Sequence, residues 1–339
     1  MEKAAVQGDG LLIPLIDFSK FLTGGPTQKL ETAQAILAGF QTAGFIYLSN
    51  IPIPAATRAD IFARSASFFR LPAATKESLA WTTPEANRGY SGPGREKVTQ
   101  LTDSDEVSAL RAAAPDLKES LEIGRDNDPL HKNNWPAEGD GGAPEGFRTA
   151  MNAFFSDLGD LHRSVMRALA VAMSLPDENY FDRFVDAHDN TLRLLHYPSV
   201  SPAVFRANAG QVRAGAHSDY GSLTFLFQDD RGGLQVQSPG GKFVDATPIE
   251  GTCVVNAGDL LARWSNETIR STVHRVVEPP GKEGEEGEYP ARYSIAYFCN
   301  PNTDAFIEAI PGTYATKDDI KHSGVNSGEY LVQRLKATY

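Results

Sequence analysis

Residues 222–238 read SLTFLFQDDRGGLQVQS. A short apolar run, a Gly-rich break and a polar-apolar alternation predict two strands, 222–229 and 234–238, joined by a tight turn. Working outward, the same period of two recurs in TLRLLHY (191–197), KFVDAT (242–247), CVVNA (253–257), STVHRVV (271–277) and RYSIAYFCN (292–300). The breaks carry Gly, Pro or Asp, as in Ser238-Pro239-Gly240-Gly241. So many short strands predict an all-β sandwich or barrel in the second half of the chain. PPGKEGEEGEYP (279–290) reads as a solvated loop between two of them.

The first half reads as a helical layer with one early strand. A helix is predicted over 27–43, where Leu30, Ala33, Leu37 and Phe40 fall at helical spacing after Pro26-Thr27 and before Gly44. FIYL (45–48) reads as a strand, and 55–69 as a second helix. Residues 81–143 are rich in Gly, Pro, Asn and charge, and read as long loops. A long helix is predicted over about 144–174, its core stripe being Phe147, Met151, Phe155, Leu158, Leu161, Val165 and Leu169.

The 339 residues carry 32 Lys+Arg against 43 Asp+Glu, a net charge of −11. Acidic excess argues against a nucleic-acid partner, which needs a basic face. Nothing approaches the roughly 18–20 apolar residues that span a bilayer, and residues 1–10 lack an apolar signal core. A cytoplasmic enzyme with a small-molecule substrate, no membrane contact and no obligate protein partner is therefore expected. Cys253 and Cys299 lie in apolar strand runs, which suits buried, reduced thiols.

Seven histidines are present, and two stand in informative company. In an extended His217-Ser218-Asp219, the imidazole and the carboxylate share one face. His274, in the strand STVHRVV, could add a third ligand. Two imidazoles and one carboxylate leave open positions on an octahedral metal, which suits Fe(II) with a chelating co-substrate and O2. A structural zinc site would be closed by a fourth protein ligand. Further on, Arg292 and Ser294 share a strand face, so a guanidinium and a hydroxyl can together receive a carboxylate. A dicarboxylic 2-oxo acid fits between Arg292 and the metal. The compound spacing, with 54 residues between Asp219 and His274 and 17 between His274 and Arg292, carries more weight than any part of it.

These residues give the chain a resemblance to the Fe(II)/2-oxoglutarate dioxygenase superfamily, in the branch that includes isopenicillin N synthase. IPLIDFSKF (13–21), GFIYLSNIPIP (44–54), NRGYS (87–91), KESLEIG (118–124) and GDLLARWSNETIRSTVHRV (258–276) also look like that branch. The resemblance implies an α+β fold, with a double-stranded β-helix (jelly-roll, cupin-like) core at 190–310. A helix-rich region at 1–189 and a helical tail at 311–339 would pack on it as one compact unit. It implies Fe(II) on His217, Asp219 and His274, with the 2-oxoglutarate C5 carboxylate on Arg292, Ser294 and Tyr197. Leu195 departs from the pattern, standing where the family often has Asn, so any co-substrate contact from that position is lost or replaced.

Within the branch, the chain resembles the fungal thymine dioxygenases from MEKAAV to SGEYLVQRLKATY. That implies stepwise oxidation of the methyl group of a free pyrimidine base, to hydroxymethyl-, formyl- and carboxyuracil. Arg193, Tyr220, Phe298 and Asn300 are the candidates for holding a flat amide ring. The same chemistry on another small metabolite is the nearest alternative. A metallohydrolase would use the three metal ligands but leave Arg292, Ser294 and Tyr197 without a role. A metal-binding cupin without activity would leave them equally idle.

Overall fold

The computed structural model describes residues 3–95, 115–207, 212–278 and 287–338. Its fold is α+β. The chain opens with strands β1 (Lys3–Gly8) and β2 (Leu11–Asp17), which form a hairpin. Asp9 and Gly10 supply its two-residue turn with φ of 48° and 77°, the left-handed pair that matches strand twist. This hairpin is an addition to the one early strand expected, β3 (Phe45–Ser49). The stretch 81–143 also yields β4 (Gly89–Ser91) and β5 (Glu119–Ile123), where only loops were expected.

From β6 (Thr191–Tyr197) the strands follow the sequence pattern: β7 (Ala214–His217), β8 (Leu223–Gln228), β9 (Leu234–Gln237), β10 (Phe243–Asp245), β11 (Cys253–Ala257), β12 (His274–Val276) and β13 (Arg292–Cys299). Several are shorter than predicted, β12 most of all. Residues 279–286 of the expected loop lie outside the described residues.

Nine strands form one sheet in the order β1-β2-β3-β11-β8-β13-β6-β5-β4, and four form a second, β10-β9-β12-β7. The large sheet thus draws strands from both sides of position 190. Alternation gives each of its strands two duties. Leu192, Leu194, Phe225, Phe227, Val255, Ile295 and Tyr297 face the helices, in a core with Met151, Leu158 and Leu161. Leu195, Tyr197, Val254 and Ala296 face the small sheet, in a second cluster with Ala214, Leu234, Val236 and Val276. Both cysteines are buried, unpaired and on the helix side, where burial raises their thiol pKa.

Helix Phe147–Ala172 buries every residue of its predicted stripe. Its start is fixed by Glu138, whose carboxylate accepts the Gly146 and Arg148 amides at 2.8 Å each, capping free N–H groups. Helix Pro26–Thr42 buries Ala33, Ile36 and Phe40. Leu30, expected in that stripe, is instead 44% exposed, since the covered arc runs through Thr32 and Gly39. Helix Ala55–Phe69 has its predicted bounds. In the C-terminal tail only Ser327–Thr338 is α-helical, after a short 3-10 turn, Lys317–Asp319. Among the described residues, no helix is long and apolar enough to cross a membrane.

Candidate active site

The antiparallel pairing of β7 with β12 sets His274 opposite His217. Asp219 follows two residues past His217, and one ligand atom from each of the three lies within 4.8 Å of the others. Asp219 Oδ1 is 3.9 Å from His217 Nε2 and 3.8 Å from His274 Nε2. Each ligand is also oriented from behind. His217 Nδ1–H donates to the Gly215 carbonyl at 2.7 Å, and His274 Nδ1–H to the Thr272 carbonyl at 3.2 Å. Both Nε2 lone pairs therefore face the gap. Asp219 Oδ2 accepts from Thr224 Oγ1 at 2.6 Å and Asn256 Nδ2 at 2.7 Å, which reserves Oδ1.

The electrostatics agree with that arrangement. Burial, then the neighbouring His274, pulls the His217 imidazole from 6.5 down to about 4. It is neutral at pH 7, as a metal ligand must be. Burial alone would raise the Asp219 carboxyl. The facing His274 and His217, with the Asn256 and Thr224 bonds, hold it below its ordinary value. Three converging, pre-oriented donors of the N, N, O type fit a divalent iron with open positions.

Between the two sheets lies a cavity of about 600 Å³, lined by these three residues together with Tyr197, Arg292 and Ser294. Arg292 is 1% exposed. Its Nε donates to the Gly232 carbonyl at 2.9 Å, Nη1 to Ser294 Oγ at 3.1 Å, and Nη2 to Gln228 Oε1 at 3.2 Å. Of the roughly five N–H groups of a guanidinium, one on each Nη stays available. Among the described residues no carboxylate comes within ion-pair distance of it. A buried cation held rigidly without a fixed counter-ion suits an anionic ligand. Tyr197 lies across from Arg292 in the sheet, its ring 4.9 Å from the guanidinium carbon.

A second cavity, of about 530 Å³, adjoins the first and shares Arg193, His217, Asp219 and Phe298 with it. Tyr220 and Asn300 line this outer space. All ten residues picked from the sequence thus fall on one wall or the other. Two are less free than expected. Arg193 is in ion-pair contact with buried Glu122, Nε to Oε1 2.7 Å, and its guanidinium lies 5.0 Å over the Phe298 ring. Asn300 sits one residue past β13 and donates its amide to the Asp189 carbonyl at 3.0 Å.

Other wall residues were not picked. Lys118 lines the inner cavity, and Asn87, Leu331 and Leu335 line the outer one. Leu195, where the family pattern has Asn, faces the inner cavity as an apolar wall. The signal for Lys118 and Glu122 was the alternation in KESLEIG, which places 118, 120 and 122 on one face of β5. Leu331 and Leu335 arrive on the C-terminal helix, and no local pattern announces them.

Comparison with known proteins places this geometry. Residues 188–301 match the 2OG-Fe(II) oxygenase superfamily model. Residues 13–138 match that of the non-haem dioxygenase in morphine synthesis N-terminal region. Proline hydroxylase buaE of Petromyces alliaceus is 35% identical over 96% of this chain and 98% of its own. The thymine hydroxylase of Neurospora crassa, in its crystal structure with alpha-KG and thymine, is 66% identical. That structure covers 99% of this chain and 100% of its own, with a TM-score of 0.92. The complex of the same protein with alpha-KG and 5-formyluracil is 62% identical with full mutual coverage and a TM-score of 0.90. With its fold, its converging His-Asp-His cluster and its sequence relatives in agreement, the chain belongs to the 2OG-Fe(II) oxygenase superfamily and is a 2-oxoglutarate-dependent dioxygenase.

Proposed function

We propose that this dioxygenase oxidises the methyl group of free thymine, in successive turnovers, to 5-hydroxymethyluracil, 5-formyluracil and 5-carboxyuracil. The observation that carries this reading is whole-length similarity to a protein crystallised with both thymine and 5-formyluracil. It is joined to an outer cavity whose wall offers an aromatic face, Phe298, beside amide and guanidinium groups. In this reading His217, Asp219 and His274 hold Fe(II), and Arg292, Ser294 and Tyr197 receive the C5 carboxylate of 2-oxoglutarate. Residues 190–310 form the double-stranded β-helix, with 1–189 and 311–339 packed around it.

Bound there, iron supplies the site for O2 and the oxo acid. Each turnover couples conversion of 2-oxoglutarate to succinate and CO2 with delivery of one oxygen atom to a C–H bond. The chain's own part is positional. Arg292, fixed by three hydrogen bonds, sets the depth of the oxo acid in the inner cavity. Phe298 and Arg193, shared by both cavities, form the partition against which a flat ring rests with its methyl group toward the metal ligands. Burial of the whole cluster excludes water from the reacting atoms.

A second reading, the same chemistry on another fungal metabolite, is favoured by the proline hydroxylase among the sequence relatives. The test is a screen for O2-dependent succinate release with Fe(II) and 2-oxoglutarate. Thymine, thymidine, thymine-containing DNA and L-proline are compared. Stimulation by free thymine above all others supports the proposal. Stimulation by L-proline or DNA without thymine would replace it.

A further inference from the structure

Behind Tyr197, on the side away from Arg292, lies a second buried guanidinium. Arg213 is 0% exposed and stands just ahead of β7. Its Nη2 donates to the Pro290 carbonyl at 3.0 Å, whereas Nε and Nη1 are buried with no hydrogen-bond partner. The Tyr197 ring lies 5.9 Å from the Arg213 guanidinium carbon and 4.9 Å from that of Arg292. Among the described residues no carboxylate comes within ion-pair distance of either cation. Asp229 and Glu278 act on Arg213 only from farther off.

Two buried positive charges around one ring, with no fixed acid between them, make a poor arrangement for a protein with no ligand. Desolvation weakens each charge's hold on its proton, and their mutual repulsion adds to it. Burial, then Arg292, brings the Arg213 pKa down from 12.5 to about 10. A structural role would place an acid beside Arg213, as Glu122 stands beside Arg193.

We propose that Arg213 is a positioning residue for the co-substrate: the second positive pole of the 2-oxo acid site, for which the distal carboxylate of 2-oxoglutarate is the missing counter-ion shared with Arg292. It touches neither iron nor prime substrate. It acts across Tyr197 and sets the preference for a dicarboxylic over a monocarboxylic oxo acid. The inference rests on the oxo-acid site proposed above.

The test compares wild type with Arg213→Met and Arg213→Lys. Each is titrated anaerobically, with Fe(II), against 2-oxoglutarate and against 2-oxopentanoate, which has a methyl group in place of the distal carboxylate. The metal-to-ligand charge-transfer absorbance reports binding, and urea unfolding without ligand reports stability. For Arg213→Met, 2-oxoglutarate binding is expected to weaken about tenfold, the effect of a charge one ring away in a partly shielded interior. Binding of 2-oxopentanoate should change less than about twofold, with the ligand-free protein unfolding at higher urea than wild type. Arg213→Lys, which keeps the charge, should retain the wild-type ratio between the two oxo acids within about threefold.

Equal loss for both oxo acids, unchanged 2-oxoglutarate binding, or a Met variant that is less stable or fails to fold would overturn the proposal. The same holds if the Lys variant loses the preference. A wild type that binds neither oxo acid contradicts the iron and oxo-acid sites themselves. A wild type that binds 2-oxoglutarate no better than Arg213→Met contradicts only the role of Arg213.

Discussion

His217 and His274 face each other across the antiparallel β7–β12 pair, with ring centroids 4.4 Å apart and planes inclined by 50°. Residues separated by more than fifty positions in the chain are thus fixed by backbone pairing, before any metal arrives. Asp219 completes the set from the turn after β7, where the Asp259 amide donates to its carbonyl at 2.8 Å.

Because Asp219 is oriented by Thr224 and Asn256, those two residues should matter without touching the metal. Asn256→Ala is expected to weaken Fe(II) affinity by about 10- to 100-fold, the usual range for groups that orient a ligand. Equilibrium dialysis against a competing chelator reads this directly. Affinity within twofold of wild type would show that Asp219 is held by other means.

Acid should loosen the metal-free protein through His217. Its folded pKa of about 4 lies below the ordinary 6.5, so between those values the unfolded chain binds a proton that the folded chain refuses. The stability this residue contributes is complete above pH 6.5 and is lost as pH falls toward 4. Asp219, held below 3.8, adds its own loss only under that value. The urea midpoint should drop from pH about 7.5 to about 5, and drop less in His217→Asn. Equal drops in both proteins would contradict the assignment.

Removing Glu122 should expose what its pairing with Arg193 does. The two side chains are 0% and 9% exposed, and Glu122→Ala leaves the guanidinium buried without its partner. A loss of about 3–5 kcal/mol is expected, typical of breaking a buried pair from one side. A loss below about 1 kcal/mol, as for an exposed pair, would show that solvent reaches Arg193.

For Phe298→Ala, thymine binding is expected to weaken by about 1–3 kcal/mol, the range for loss of one base–aromatic stack. Bound iron should stay at the wild-type level, because Phe298 supplies no ligand atom to the metal cluster. Calorimetry of the iron- and 2-oxoglutarate-loaded protein without O2 measures the change. An unaltered thymine affinity would move the ring to another wall of the cavity.

The metal and oxo-acid residues were legible because strands write their faces into the sequence. His217 with Asp219, and Arg292 with Ser294, are two apart, and a period of two needs no knowledge of the fold. The β1–β2 hairpin was equally readable from Asp9-Gly10, a two-residue turn signal between apolar runs that the helical reading of the first half passed over. Strands β4 and β5 were hidden by brevity in a Gly- and charge-rich stretch. Glu122 beside Arg193, and Leu331 in the outer cavity, depend on contacts between distant segments. Pairing across the sheet and helix docking decide those positions, and neither leaves a local period.

The central claim, oxidation at the thymine methyl carbon, is tested most directly by mass spectrometry of the product formed from thymine with a trideuterated methyl group. The protein is loaded with Fe(II) and 2-oxoglutarate and then exposed to O2. The account predicts a first product with one deuterium lost and one oxygen gained at that carbon, then the formyl and carboxyl products, each step matched by succinate. Oxygen incorporated with all three deuteriums retained would place the reaction elsewhere on the ring. Succinate released with no oxidised thymine would contradict the substrate itself.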